Sequence, residues 1–231
     1  IAEKRKKLRI KVNLNQQNMP NPLLTLWFKE HKFDCVVSVL SGLPIRMEPD
    51  FFTYSQFNSK NTAPGDWNVG EWSNAEFDET GAKQLGIYDP EKRRPLIHKL
   101  QEILQEEQPD TVVYYEVQNM GIHTKNCDLD YVEAPDGVRS IWNQVRFAPK
   151  GNAKVLKVGR ISDQQTWNPV AAIQSDDFEV LRMVYDYLVQ IGPKGEVEMW
   201  AAEKVDTLND VTIEVTMKRG RKFSDRKLTE F

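Results

Sequence analysis

An α/β fold with mixed sheets and flanking helices is what the sequence predicts, and three observations carry that prediction. Residues 8–40 read as strand, helix, strand over about 33 residues, the length of a minimal crossover unit. Residues 89–109 read as a capped amphipathic helix. Residues 211–217 alternate apolar and polar side chains, as a strand with one buried face does. At 231 residues the chain is long enough to bury a sizeable core as one large domain or two small ones.

Leu8, Ile10 and Val12 alternate with Arg9 and Lys11, which predicts a half-buried strand. Pro22 then introduces Leu23, Leu24, Leu26, Trp27 and Phe28, a short apolar helix with proline in its first turn. Residues 33–40 are rich in valine and predict a buried strand of a parallel sheet. Between residues 41 and 70, Gly42, Pro44, Pro49, Pro64 and Gly65 mark loops, with room for a short helix over 50–57. A helix is expected over 74–85. The next one is the clearest in the chain: Asp89 caps it, Pro90 takes the first helical position and Glu91 suits the positive end. Leu96, Leu100, Ile103 and Leu104 give it an apolar face, and Pro95 removes one backbone donor inside it.

Residues 111–117 predict a strand by β-branched and tyrosine content. Ala148 to Lys154 is polar, with Pro149 and Gly151, and is the best linker candidate; it divides a segment 1–147 from a segment 155–231, both expected to pack together. Val155, Leu156 and Val158 open another strand. A helix is expected over 176–190, with Phe178, Leu181, Tyr185 and Leu188 on one face and Gly192-Pro193 ending it. Val211, Ile213, Val215 and Met217 form the apolar face of the last strand. No internal repeat is visible.

Composition narrows function. Hydrophobic residues make up 40% and charged residues 28%, an ordinary globular balance. The net charge of -3 argues against a nucleic-acid partner, which needs a cationic face. Two basic clusters, residues 4–7 and 218–222, border strand-like runs and read as solvated strand ends. No apolar run approaches the roughly 18 residues of a membrane span, and the first residues lack the apolar region of a signal peptide. The two cysteines make no disulfide framework; Cys35, inside the valine run, is expected to be buried. His123 and Cys127 supply too few ligands for a metal site. The three histidines are scattered, and neither a nucleophile motif, a phosphate loop nor a dinucleotide fingerprint is present. The expectation is a non-enzyme that uses no cofactor.

Aromatic residues are the better lead. Trp67 and Trp72 flank a loop rich in Gly, Asn and Asp, and Trp167 sits in Gln164-Gln165-Thr166-Trp167-Asn168-Pro169. Tryptophan in a polar loop offers a flat apolar face for a sugar ring or peptide side chain, with its N–H free to bond. The alternative is that each plugs the end of the core, and for Trp167 and Trp72 both readings stand. Trp27, Trp142 and Trp200 are expected in the core.

The order of motifs carries a resemblance. Thr166-Trp167-Asn168-Pro169 is followed by a helix into Val184-Tyr185-Asp186-Tyr187-Leu188. A turn at Gly195 comes next, then Ala201-Ala202-Glu203, an alternating strand and Lys222-Phe223-Ser224-Asp225. This resembles the N-terminal region of family 5 extracellular solute-binding proteins, the peptide, oligosaccharide and nickel receptors of ABC importers. Trp72-Ser73-Asn74-Ala75-Glu76-Phe77-Asp78 and then Asp89-Pro90-Glu91-Lys92-Arg93-Arg94 resemble that family's C-terminal region. C-terminal-like sequence thus precedes N-terminal-like sequence, as in a circular permutant, a tandem junction or a chain with reordered segments. The family would continue past Phe231, through a middle region that supplies part of its cleft. Arg226 stands where the family has glycine, against a tight turn there.

The resemblance implies a class II periplasmic-binding-protein-like lobe. It also implies a substrate-binding component that captures a small solute between two lobes and delivers it to an ABC permease in the membrane. The implied protein is a monomer, periplasmic or extracellular, with a lipid anchor as one option. By the family's pattern Ser41, Gly42, Leu43 and Pro44 occupy a ligand-facing turn, and Ile45 falls where peptide receptors place an aspartate. Asn168 adjoins the ligand, and Ile173 falls on a second position that is acidic in some peptide binders. Isoleucine at both leaves a charged amine unpaired, which is costly when buried, so a neutral oligosaccharide is favoured over an oligopeptide. The alternatives are a scaffold or interaction fragment that no longer binds, and third an enzyme.

Overall fold

The computed structural model describes residues 11–18, 22–40, 42–43, 46–115, 117, 119–152, 154–160, 162–172, 174–209 and 211–223. Most of the strand expected over 8–12 lies outside them, as do the basic cluster at 4–7, Ser41, Pro44, Ile45, Ile173 and Arg226. Two units divide the chain. Unit 1 is Ile1–Val39 with Asp50–Thr111, and unit 2 is Leu40–Pro49 with Val112–Phe231.

Unit 1 is helical. A π-helical turn, Thr25–Lys29, is followed by α1 (Tyr54–Phe57), α2 (Ala75–Leu85) and α3 (Pro90–Glu107). Each longer helix starts where its sequence says it should. The Asn74 side chain accepts a hydrogen bond from the Phe77 N–H at 2.9 Å, and Asp89 accepts from the N–H of Glu91 at 3.0 Å, satisfying donors that have no partner inside the helix. The Glu91 N–H also holds the Asp89 carboxyl below the ordinary range. The C-cap of α3, Gln108, takes left-handed geometry at φ 47°, and Pro109 behind it prevents continuation. The helix runs through Pro95.

The core of unit 1 joins α2 to α3: Phe77, Ile97, Leu100 and Ile103 are buried, with Tyr54, Phe57, Trp72 and Leu104 against them. Ile97 is buried in the place expected for Leu96, while Leu100, Ile103 and Leu104 stand on the apolar face as expected. Gly81 lets α2 approach α1, since a Cβ there would overlap the Tyr54 ring.

Unit 2 is built from hairpins. Its elements are β1 (Cys127–Leu129), a 3-10 turn (Gly137–Arg139), α4 (Ile141–Gln144) and β2 (Phe147–Pro149), then α5 (Ser175–Val184) and β3 to β6 (Val189–Ile191, Val197–Met199, Ala202–Asn209, Thr212–Met217). β1 pairs with β2, β3 with β4 and β5 with β6, all antiparallel and all two-stranded. The protein is therefore mixed α and β with small antiparallel sheets.

Several expectations fall here. Residues 33–40, 111–115 and 155–158 are not strands, and most of their apolar side chains are exposed. Valine and tyrosine favour a pleated surface only where a neighbouring strand provides one, and none pairs with these runs among the described residues. Cys35 is accordingly exposed rather than buried, while Cys127 is buried. The expected parallel sheet is absent among the described residues, and the helix meant to cross it is one five-residue turn. The helix from 176 stops at Val184 instead of Gln190. Leu188, expected on its face, becomes an acceptor for the N–H groups of Trp200 and Ala202 at 3.1 and 3.0 Å. Gly192-Pro193 ends no helix; it lies in the β3–β4 turn, closed by the Gly192 N–H on the Glu196 carbonyl at 2.7 Å. The expected linker is partly strand, since residues 147–149 are β2, and residues 150–152 and 154 are exposed.

Gly81→Ala improves intrinsic helix propensity, yet it forces the Tyr54 ring out of its seat. The expected outcome is a net loss of roughly 1–3 kcal/mol, the usual cost of overpacking. Urea unfolding of the variant checks it, and unchanged or higher stability would show that α1 and α2 are not packed as described.

Candidate functional site

Trp67 lies in a loop whose shape is set by one buried side chain. Asn68 is 2% exposed. Its amide nitrogen donates to the carbonyls of Phe57, Asn58 and Trp72 at 3.3, 3.1 and 2.8 Å. Its oxygen accepts from the Trp72 N–H at 3.1 Å. The side chain thereby joins the end of α1 to the entry of α2. The Trp67 ring packs edge-on against Phe28 and Phe51, with centroids at 5.0 and 5.4 Å. Trp72 packs against Phe77 at 5.0 Å and donates its indole N–H to Glu107 at 2.8 Å, so it caps the unit 1 core. Trp67 is half-buried within an aromatic cluster.

The π-helical turn meets this loop. The Gly65 N–H donates to the Phe28 carbonyl at 2.8 Å. The turn is wound wide, with Glu30 N–H on the Thr25 carbonyl at 2.9 Å and Lys32 N–H on the Leu26 carbonyl at 2.8 Å. His31 ends it at φ 50°, the left-handed position that usually holds glycine or asparagine. Glu71 has φ 53°, and its carboxylate lies 3.9 Å from His31 Nδ1. Trp27 Nε1 and His31 Nε2 are both buried and find no hydrogen-bond partner among the described residues.

In unit 2 the segment before α5 is fastened to that helix's first turn. The Gln165 N–H donates to Asp177 Oδ1 at 2.8 Å, and the Ser162 hydroxyl donates to Asp176 Oδ2. Asn168 organises the tip: its N–H donates to Thr166 Oγ1 at 3.1 Å, and its Oδ1 accepts from the Val170 N–H at 3.0 Å. The Tyr185 hydroxyl donates to the Trp167 carbonyl at 3.1 Å. Trp167 itself is 59% exposed. Its carbonyl is held by Tyr185, the residues on either side of it are held to each other, and the residue itself is open to solvent.

Beneath this segment runs a chain of charges. Arg139 Nη1 lies 2.8 Å from Glu179 and 3.8 Å from Asp176, and Arg182 Nη2 lies 2.7 Å from Asp136. Burial pushes the Glu179 carboxyl above the ordinary glutamate range, and Arg139 opposes that shift without cancelling it.

Of the residues expected at a ligand site, Trp67 and Trp72 belong to unit 1 and Gly42, Leu43, Trp167 and Asn168 to unit 2. Gly42 is exposed, whereas Leu43 is buried. Asn168 is engaged in its own turn. Ser41, Ile45 and Ile173 lie outside the described residues. The three tryptophans expected in the core are half-buried: Trp142 donates to the Ile191 carbonyl at 2.9 Å, Trp200 to Asp186 at 3.0 Å, and their rings meet at 5.7 Å. Sequence reasoning missed Asn68, His31 and Glu71. No local pattern marks a buried loop asparagine, nor a histidine or glutamate in left-handed geometry outside a glycine position. Among the described residues no three His, Cys, Asp or Glu side chains come together as metal ligands, and no helix is long and apolar enough to cross a membrane. No protein-family model matches the chain, and neither the curated proteins nor the solved structures hold a significant match.

Asn68→Leu leaves three carbonyls and one N–H without their partner, and a loss on the order of 3 kcal/mol is expected. Near-ultraviolet circular dichroism should report the loosened Trp67 and Trp72 rings; unchanged stability would contradict the clamp. Glu179 provides a pH test. Its folded-state pKa is above the unfolded value, so the folded state binds more protons between the two, and stability falls as pH rises from about 4.3 through the raised value. Glu179→Gln should flatten that part of the profile in urea titrations at successive pH values. An unchanged slope would place the dependence elsewhere.

Proposed function

We propose that this protein captures a small neutral solute, an oligosaccharide before an oligopeptide, on the exposed face of Trp167. The observation that carries the reading is the pairing of an open indole ring with a backbone that is held in place. A large flat side chain with few torsions, fixed from below, gives a ligand contact area at low entropic cost. A sugar ring or peptide side chain stacks on such a face, and the surrounding Asn168 and Tyr185 supply polar edges.

The resemblance to family 5 solute-binding proteins supplies the biological setting of this reading. In it the chain is the substrate-binding component of an ABC importer, a class II periplasmic-binding-protein-like lobe that is circularly permuted or incomplete, working as a periplasmic or extracellular monomer with a membrane permease as partner. The role is binding and delivery, without catalysis.

A second reading, an interaction fragment that no longer binds solute, is favoured by the β5–β6 hairpin, where Leu208, Val211 and Ile213 are all exposed. Ligand-induced thermal stabilisation separates the two, since only a binder gains RT ln(1+[L]/Kd).

Calorimetry with di- to tetrapeptides and with neutral oligosaccharides tests the leading reading. Trp167→Ala should lose about 1–3 kcal/mol of binding, the range for burying a large apolar side chain, while Cys127→Ser should lose little. Tight binding only of peptides with a free amino-terminus, abolished by acetylation, would overturn the neutral-ligand assignment. Full binding by Trp167→Ala would overturn the platform.

A further inference from the structure

A two-stranded hairpin is marginal in water by itself, and a third strand or a packed face is what makes it stable. The β5–β6 hairpin is anchored at its base, where Ala201 and Ala202 are buried, and is open beyond it. No described element other than β5 packs extensively on β6, whose residues are exposed or half-buried throughout. Leu208, Val211 and Ile213 are all exposed. Apolar side chains left open beside an unpaired strand edge mark a place where another strand adds.

The two edges of the hairpin are not equivalent. β5 carries an extra residue twice, at Glu203 and at Leu208, against the regular register of β6. Bulges of this kind bend a strand and blunt its edge. The start of β5 is also occupied, since the N–H groups of Ala201 and Ala202 donate to the carbonyls of Tyr187 and Leu188 at 3.0 Å each. β6 has no bulge. The Lys218 N–H at its end donates to the Ala201 carbonyl at 3.0 Å and so points toward β5. Along a regular antiparallel strand successive residues turn their backbone groups to opposite sides. Met217, Val215 and Ile213 therefore turn theirs to the open edge, where no backbone partner stands among the described residues.

We propose that the open edge of β6 pairs with β6 of a second copy of this chain, antiparallel and centred on Thr216, joining two hairpins into one continuous sheet. Charge selects this occupant and this register. About a twofold axis through Thr216, Glu214 of each copy stands opposite Lys218 of the other, and opposite charges so placed attract. The outward backbone groups fall into step in the same register. Val215 meets Met217 of the second copy, and the two exchange both of their hydrogen bonds. Ile213, Val215 and Met217 of both copies then share one apolar face. A parallel, in-register pairing would instead set Glu214 beside Glu214 and Lys218 beside Lys218, which is repulsive. Here the chain works as a dimer in place of the monomer that the family resemblance implies, and solute capture at Trp167 is independent of it.

Sedimentation velocity on the full chain over a range of concentrations is the test. The expected result is a species of twice the monomer mass that grows with concentration. Glu214→Lys and Lys218→Glu each leave like charges opposed on both sides of the axis, so each alone should weaken the dimer about tenfold. Lys218→Glu also removes the amine that donates to the Met199 carbonyl at 3.0 Å, and a mixture controls for that loss. Equal amounts of the two variants bring opposite charges together again in a heterodimer and should recover the affinity of the unaltered chain. Val215→Pro removes an outward N–H without removing a bond to β5 and should abolish the dimer. Monomers at every concentration would overturn the pairing, even if an added strand-forming peptide bound the edge. A dimer that both single variants form as tightly as the unaltered chain would overturn it too, as would a mixture that does not recover. Trp167→Ala should dimerise normally and Glu214→Lys should bind solute normally, which separates failure here from failure of the solute platform. If Val215→Pro does not fold, the two charge variants and their mixture still decide.

Discussion

Two buried asparagine amides hold this protein's irregular parts in place, one in each unit. Asn68 spans the loop from α1 to α2, as described above. In unit 2, Asn143 donates to the carbonyls of Val132 and Gly137 at 2.8 Å each and accepts from the Val132 N–H at 2.8 Å. Both side chains do the work that a sheet ladder or helix would otherwise do: they satisfy backbone groups that a buried turn would leave unpaired. A carboxamide suits this because it carries donors and an acceptor on one rigid plane. The arrangement has a consequence for function. Segments that carry exposed or half-buried tryptophans can be irregular and still well defined, because their backbone polar groups are answered from inside.

The two units use different means to the same end. Unit 1 relies on apolar packing between α2 and α3, where Phe77 and Leu100 are fully buried. Unit 2 buries Leu43, Ile141 and Leu181 together with Ala172, Ala201 and Ala202, and also sets charges in its interior. Asp177 is almost fully buried and accepts from the Gln165 N–H, so a carboxylate in the first turn of α5 serves both the helix end and the segment before it. Arg139 and Arg182 tie the 3-10 turn and the Asp136 loop to the same helix. Partly buried ion pairs give little net stability but penalise wrong arrangements, because an unpaired charge left inside costs more than a pair gains. The network thus specifies where the Trp167 segment sits more than it strengthens the unit.

What the sequence made legible follows from how local each signal is. Helices α2 and α3 were readable almost to the residue, since Asn74, Asp89 and Pro90 act within one turn of themselves. Of the β5–β6 hairpin only β6 was legible, from the alternation of 211–217, and the face expected to be buried is not: Val211 and Ile213 are exposed and Val215 and Met217 half-buried. Residues 33–40, 111–115 and 155–158 carried equally strong β-composition and formed no strand, because pairing needs a partner that composition does not provide. The end of α5 was misjudged for a related reason: Tyr185 and Leu188 fit a helical face, but the Leu188 carbonyl is claimed by the N–H groups of Trp200 and Ala202. The candidate sites divide the same way. Trp67 and Trp167 were visible as aromatics in polar loops. The ring contacts of the first and the open face of the second were not, since both depend on residues far away in sequence.

The strained residues sharpen that point. Gln108 and His31 each stand just past a helix and adopt left-handed geometry there, which ends a helix whichever residue is present. Glu71 follows no helix, and Gly70 directly before it would have taken the same geometry at lower cost. A residue with a Cβ and a charge at that position is explained by what its carboxylate reaches, and the group it reaches is His31 Nδ1. Glycine would give the turn without the contact; glutamate gives the contact at the expense of the turn. At 3.9 Å, with the Glu71 side chain largely exposed, the contact is longer than a hydrogen bond and biases the imidazole's orientation rather than fixing it.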